Sequence, residues 1–159
     1  MAGLARGLGL LACGMALHLI KLAVGIETVE QLHDRQAGRI REAQCGSGEG
    51  RLRILTRNMP RRSGEVLAGG SLYWVIKGQV CVRQSITAIE AITEQEANRR
   101  CAIYLDKALV RTHLRRSRPF QGWRYFEADL APPDLSGPYD PANEPPAEMA
   151  AELRELGLL

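Results

Sequence analysis

The run from Gly69 to Arg83 limits the choice of fold more than any other stretch. Leu72, Trp74 and Ile76 fall on one face of an extended strand and Tyr73, Val75 and Lys77 on the other, because strand side chains alternate with period two. Both faces are mainly apolar, so the strand is expected in the interior of a sheet. Gly78-Gln79 separates it from a second β-prone run, which predicts a tight hairpin turn with Gly78 at its first central position. The return strand is expected from Val80 to about Ile92. Val80, Val82, Gln84 and Ile86 would share one face, and Cys81, Arg83, Ser85 and Thr87 a polar one. A second aromatic cluster, Arg118 to Phe126, reads as the closing strand.

The other elements follow from local signals. Ala16 to Val24 alternates as a strand, with His18, Ile20, Leu22 and Val24 on one face and Leu17, Leu19, Lys21 and Ala23 on the other. His18 among leucines reads as a satisfied core or edge histidine. Thr28-x-x-Gln31 is a capping box that predicts a helix start, with Val29, Leu32, Gln36 and Ile40 on one stripe. The helix should end before the loop Cys45 to Gly50. Arg51 to Thr56 alternates charge with Leu52 and Ile54, as a half-buried strand does. Pro60 opens a short helix through about Ala68, stopped by Gly69-Gly70. Arg57, Arg61 and Arg62 crowd this region. Thr93 to Asn98 reads as a polar connection and Arg99 to Asp106 as a strand that Leu109 and Val110 continue. The expectation is an α+β fold: a small mixed or antiparallel sheet, able to curl into a barrel, with two flanking helices.

Charge divides the chain. Residues 1–126 hold 20 of the 21 Lys/Arg and 10 of the 18 Asp/Glu, so the acidic excess falls in residues 127–159. Six of the eight prolines lie between Pro132 and Pro146. The organisation expected is an extension over 1–14, one domain over 15–130, and a Pro-rich, disordered acidic tail over 131–159. A short helix over 147–158 would carry Met149, Leu153 and Leu156 on one side, and the tail could lie on the basic body. Residues 1–14 resemble a secretion signal faintly, but one arginine and a glycine-interrupted apolar run fall short of one. Met15 is the expected natural start. No stretch is long enough to span a membrane. The cysteines Cys13, Cys45, Cys81 and Cys101 show no C-x-x-C spacing, which argues against zinc and for free thiols in a reducing, cytoplasmic compartment.

Met15 to Gly25, Gly70 to Gly78 and Arg118 to Tyr125 together resemble DUF1489, a bacterial family of unknown function. The likeness covers residues 15 to about 135, leaving the N-terminal extension and the acidic tail as departures. It implies no reaction and no functional residues. A fainter similarity links the strand-turn-strand at Lys77-Gly78-Gln79 and the closing strand to PUA-like domains of the ASCH and EVE type. That similarity implies a small β-barrel with flanking helices and binding of RNA or modified bases.

A basic body favours anionic partners. Cations hold phosphates and an aromatic ring offers a stacking face, so the leading expectation is an RNA- or nucleotide-binding module. The candidate residues are Tyr73, Lys77, Arg83, Arg118, Gln121, Trp123, Arg124 and Tyr125. Trp123, between Gly122 and Arg124, suits a stacking platform or an anchor of the last strand equally well. An enzyme acting on a nucleotide or RNA is the alternative, with His18 and His113 as acid/base groups. No G-x-S-x-G, phosphate-binding loop, metal spacing or cofactor motif supports it. A third expectation is a protein-interaction module that uses the tail.

Overall fold

The computed structural model describes residues 16–46, 50–96 and 99–138, together with 149, 152 and 155–157 of the C-terminal stretch. Over residues 16–138, eight strands and two helices are described, in the order β1 (His18–Leu22), α1 (Val29–Cys45), β2 (Leu52–Thr56), α2 (Ser63–Leu67), β3 (Ser71–Ile76), β4 (Gln79–Glu96), β5 (Arg99–Leu105), β6 (Val110–Arg116), β7 (Trp123–Phe126) and β8 (Asp134–Pro138). The strands form one mixed sheet, ordered β2-β5-β4-β3-β1-β7, with β6 on β4 and β8 on β6. Only the β1–β3 pair is parallel. A parallel pair needs a crossover, and α1, β2 and α2 supply it.

The sheet is open, which corrects the barrel expectation. Among the described residues β2 pairs only with β5 and β7 only with β1, so the two ends of the path stay unjoined by a ladder. The β2–α2 loop occupies the space between them. Asn58 of that loop accepts from Trp123 Nε1 at 3.0 Å, and the Arg62 backbone N–H donates to the Tyr125 hydroxyl at 3.1 Å. Side chains therefore bridge where backbone pairing would close a barrel.

The interior strand is as expected: all six residues of β3 are buried. The capping box forms, with Gln31 N–H donating to Thr28 Oγ1 at 3.1 Å and Glu27 N–H to Gln31 Oε1 at 2.8 Å. Val29, Leu32 and Gln36 are its buried stripe. One apolar cluster, containing Leu19, Leu72, Trp74, Val82 and Ile103, fills the space between the sheet, α1 and the β2–β5 arm. A second, smaller one, Ile20, Tyr73, Val75, Val80 and Phe126, lies on the opposite face of β1 and β3.

Four differences from the expected layout have local causes. The hairpin turn centres on Lys77 (φ 51°) and Gly78 (φ 74°), with Ile76 opposite Gln79. Two positive φ values are the signature of a type I′ turn, whose twist suits a hairpin. Cys81 is an extra residue, since Trp74 faces Val82 while Val75 faces Val80. This bulge breaks the alternation and sends Val80 and Val82 to different clusters. Strand β4 runs through Glu96, into the expected polar connection, and Val110 begins a separate strand. Finally, β8 lies in the proline-rich stretch read as tail, where it pairs with β6. The expected start at Met15, the extension before it and Leu153 lie outside the described residues.

Gly70 fixes the junction of α2 with β3. A Cβ there would stand 2.3 Å from the carbonyl oxygens of both Leu17 and Val66, which leaves room for glycine alone.

Candidate functional site

The face of the sheet that carries the larger cluster opens at the seam between β7 and β2. A row crosses it: Trp123 on β7 is opposite Lys21 on β1, which is opposite Trp74 on β3. Trp74 is buried, whereas Lys21 and Trp123 are half-buried. Beside them opens a cleft of about 660 Å³, walled by β7 on one side and the β2–α2 loop on the other. Lys21, Arg57, Arg61, Gln121, Trp123 and Tyr125 line it, and among the described residues no carboxylate does. Two hydrogen bonds from the loop hold the rings in place, and Trp123 meets Tyr125 edge-on with centroids 5.1 Å apart. Just outside, Arg62 is engaged by Glu65, lies 3.9 Å from Glu127 and sits 5.6 Å from the Tyr125 ring centroid.

The structure sorts the residues singled out from sequence. Gln121, Trp123 and Tyr125 come together in the cleft. Arg124 lies on the other side of β7, its guanidinium 5.1 Å from the Phe120 ring centroid. Arg118 and Lys77 are exposed, Lys77 on the hairpin turn. Tyr73 is a core residue, 4% exposed, with the rings of His18 and Phe126 edge-on at 5.2 Å each. Arg83 is committed within the fold: it grips the Asp134 carboxylate with two bonds of 2.7 Å and donates to Ser71 Oγ at 3.0 Å.

Lys21, Arg57 and Arg61 carried no functional expectation. The signal for Lys21 was present, as one cation on an otherwise apolar face of β1. Its meaning depended on the register that sets it between two tryptophans, and pairing across 50 residues of chain has no local trace.

Neither of the two acid/base candidates, His18 and His113, is hydrogen-bonded to a carboxylate among the described residues; the third histidine, His33, has Nδ1 3.3 Å from Asp34 Oδ1 at an exposed position on α1. His18 Nδ1 accepts from the Ser71 N–H at 2.9 Å, so the ring is a neutral acceptor. Burial, and then the Arg83 charge, push its pKa below the ordinary histidine value, with Asp134 opposing. His113 is exposed, with its backbone N–H bonded to Pro133 O. Burial pushes the Cys101 thiol up, as expected of an inert core cysteine, with a hydrogen bond to Thr56 opposing. Among the described residues no group of His, Cys, Asp and Glu is arranged to hold a metal. Nor is any helix long and apolar enough to cross a membrane. In the C-terminal stretch Met149 and Leu156 are exposed.

No curated protein and no solved structure matches the chain. The DUF1489 family, described as a protein of unknown function, matches residues 19–159 and so runs through the acidic tail that the sequence reading set apart. The chain belongs to the DUF1489 family.

Proposed function

We propose that this protein binds RNA or a nucleotide in the seam between β7 and the β2–α2 loop. The observation that carries the reading is the lining of that cleft: three cations, Lys21, Arg57 and Arg61, beside Trp123, Tyr125 and Gln121, with no acidic side chain among the described residues. Cations in that setting neutralise phosphates, and the Trp123 indole offers a base a stacking face. The Gln121 amide can donate to and accept from a base edge. The reading fits the faint likeness to PUA-like domains and a bacterial cytoplasmic setting, in which free thiols such as Cys45, Cys81 and Cys101 persist. No group of His, Cys, Asp and Glu among the described residues is arranged to hold a metal.

Titration of the full chain with labelled single-stranded RNA, followed by tryptophan fluorescence at several salt concentrations, tests this. Trp74 is 5% exposed, so a change on binding reports mainly on Trp123. Binding should weaken steeply with salt, and Trp123→Ala should cost about 1–3 kcal/mol, the usual value of one stacked base. Absence of binding at low salt, or binding that Trp123→Ala and Lys21→Ala leave untouched, would refute the reading.

A further inference from the structure

Strand β2 sits in the sequence Arg51-Leu52-Arg53-Ile54-Leu55-Thr56-Arg57. Its alternation turns Leu52 and Ile54 into the core, at 2% and 5% exposure, and leaves Arg51, Arg53 and Arg57 on the outside. Side chains on one face of a strand repeat every ~6.6 Å, and Arg51 to Arg57 spans about 20 Å. That repeat is close to the phosphate spacing of an extended polynucleotide.

These arginines border a row of three neighbouring hollows, together called the trough. The Trp123 cleft adjoins a pocket of about 430 Å³ under α1 through Lys21 and Leu55. The pocket adjoins a hollow of about 470 Å³ between α1 and β2 through Arg39 and Leu55. Leu55 lines all three. Among the described residues that line these three hollows Glu42 is the one carboxylate, beside Lys21, Arg35, Arg39, Arg51, Arg53, Arg57 and Arg61. At the far end the Arg51 guanidinium stacks 3.9 Å from the ring centroid of half-buried Tyr104, in a hollow that Asp106 and Lys107 also line.

We infer that the ligand is a single-stranded polynucleotide several nucleotides long, laid along β2 from the Trp123 cleft to Tyr104. The inference rests on the reading of the cleft given above and adds the ligand's length and course. A mononucleotide in the cleft would leave the Arg51 and Arg53 end of the trough unused. A strand that follows β2 meets Arg51, Arg53 and Arg57, with Leu55 between the last two, and the Trp123 ring at one end. A duplex has paired and stacked bases, which it cannot offer to Trp123.

Binding of uridine monophosphate, a uridine hexamer and a hexamer duplex, measured at several salt concentrations, tests this on the full chain. The variants are Trp123→Ala and the exposed pair Arg51→Ala/Arg53→Ala. The hexamer should bind at least about tenfold tighter than the monophosphate, as expected when a groove tracks several phosphates. The double variant should lose most of that gain. Its slope of log affinity against log salt should flatten by about 1.4, for two single-strand phosphate contacts at ~0.7 each. Its affinity for the monophosphate should not change. Equal affinity for hexamer and monophosphate, or a duplex bound as tightly as the single strand, would overturn the inference. If the monophosphate is still lost on Trp123→Ala in that case, the cleft reading survives alone. If no ligand binds at any length, both fall.

Discussion

The two faces of β1 and β3 use their charges in opposite ways. On the face with the smaller cluster, polar groups are consumed inside the fold: Arg83 holds Asp134 and Ser71 Oγ, and His18 accepts from Ser71 N–H. Asp134 belongs to β8, so this ion pair fastens the last strand to the middle of the sheet. On the other face, Lys21, Arg57 and Arg61 converge on a cleft that no carboxylate of the described residues lines. Charged residues do structural work on one side and line a cleft on the other. Sequence counts 20 Lys/Arg over residues 1–126 as one basic body; only the pairing of strands separates those two groups.

A first way to stress this contrast is at the buried amides behind the trough. Gln84, fully buried, accepts from Trp74 Nε1 and Gln36 Nε2 at 2.8 Å each and donates to Gln36 Oε1 and Asp106 O at 2.9 Å each. Gln84→Leu leaves those partners without their bonds at a buried position. It should cost about 3 kcal/mol, read as a lowered urea midpoint at unchanged m-value. Because Gln36 and Trp74 also line the pocket under α1, RNA binding should weaken too. A variant as stable as the parent would mean that this face, unlike the other, is not held by its polar groups.

Arg83→Met separates the two sides more cleanly. It removes the bidentate pair with Asp134, whose side chain is 43% exposed, so solvent screening limits the loss to about 1–2 kcal/mol. Binding by the folded fraction should be unaltered. A large drop in affinity with little loss of stability would reverse the assignment and return Arg83 to a ligand-contacting role.

How much of this was legible in the chain depends on the range of the interaction. The Thr28–Gln31 cap, the Val29-Leu32-Gln36 stripe and the mainly apolar, buried β3 are set by neighbours within four residues, and each was readable. Trp123 and Tyr125 were readable as aromatic but not as partners of the β2–α2 loop. The bulge at Cys81 was hidden, because one extra residue in a strand changes the facing of its neighbours without altering any propensity. Strand β8 was masked by its prolines, which mark a tail unless an edge partner such as β6 is available. Lys21 is the instructive case: period two gave its face correctly, but its two tryptophan neighbours come from strands far along the chain.

The smallest expected effect concerns pH on the closed face. The His18 pKa is depressed in the folded state, so its contribution to stability is complete above the unfolded value of about 6.5. That contribution is lost progressively as pH falls from there toward the folded pKa, because the unfolded chain takes up the proton first. Asp134, also depressed by its bond to Arg83, adds its own loss only below the ordinary carboxylate range. In thermal melts the parent should soften between neutral and mildly acidic pH. His18→Asn, which keeps an acceptor for the Ser71 N–H, should remove that first step and leave the later one. If the first step persists in the variant, its origin lies elsewhere than in His18.

Strand β4 joins the two regions physically. Its first part pairs with β3 and β6 and its later part with β5, with bulges at Cys81 and at Thr87, where Ile86 faces Leu105 but Ala88 faces Tyr104. The arm that carries β5 and β2 therefore pivots on one continuous backbone, like a jaw of a calliper on its spine. Trimming or adding a residue near Thr87 would change the curvature of that spine and thereby the aperture between β2 and β7. The bore of the site could then be tuned from the back of the sheet, with every residue that lines it left in place.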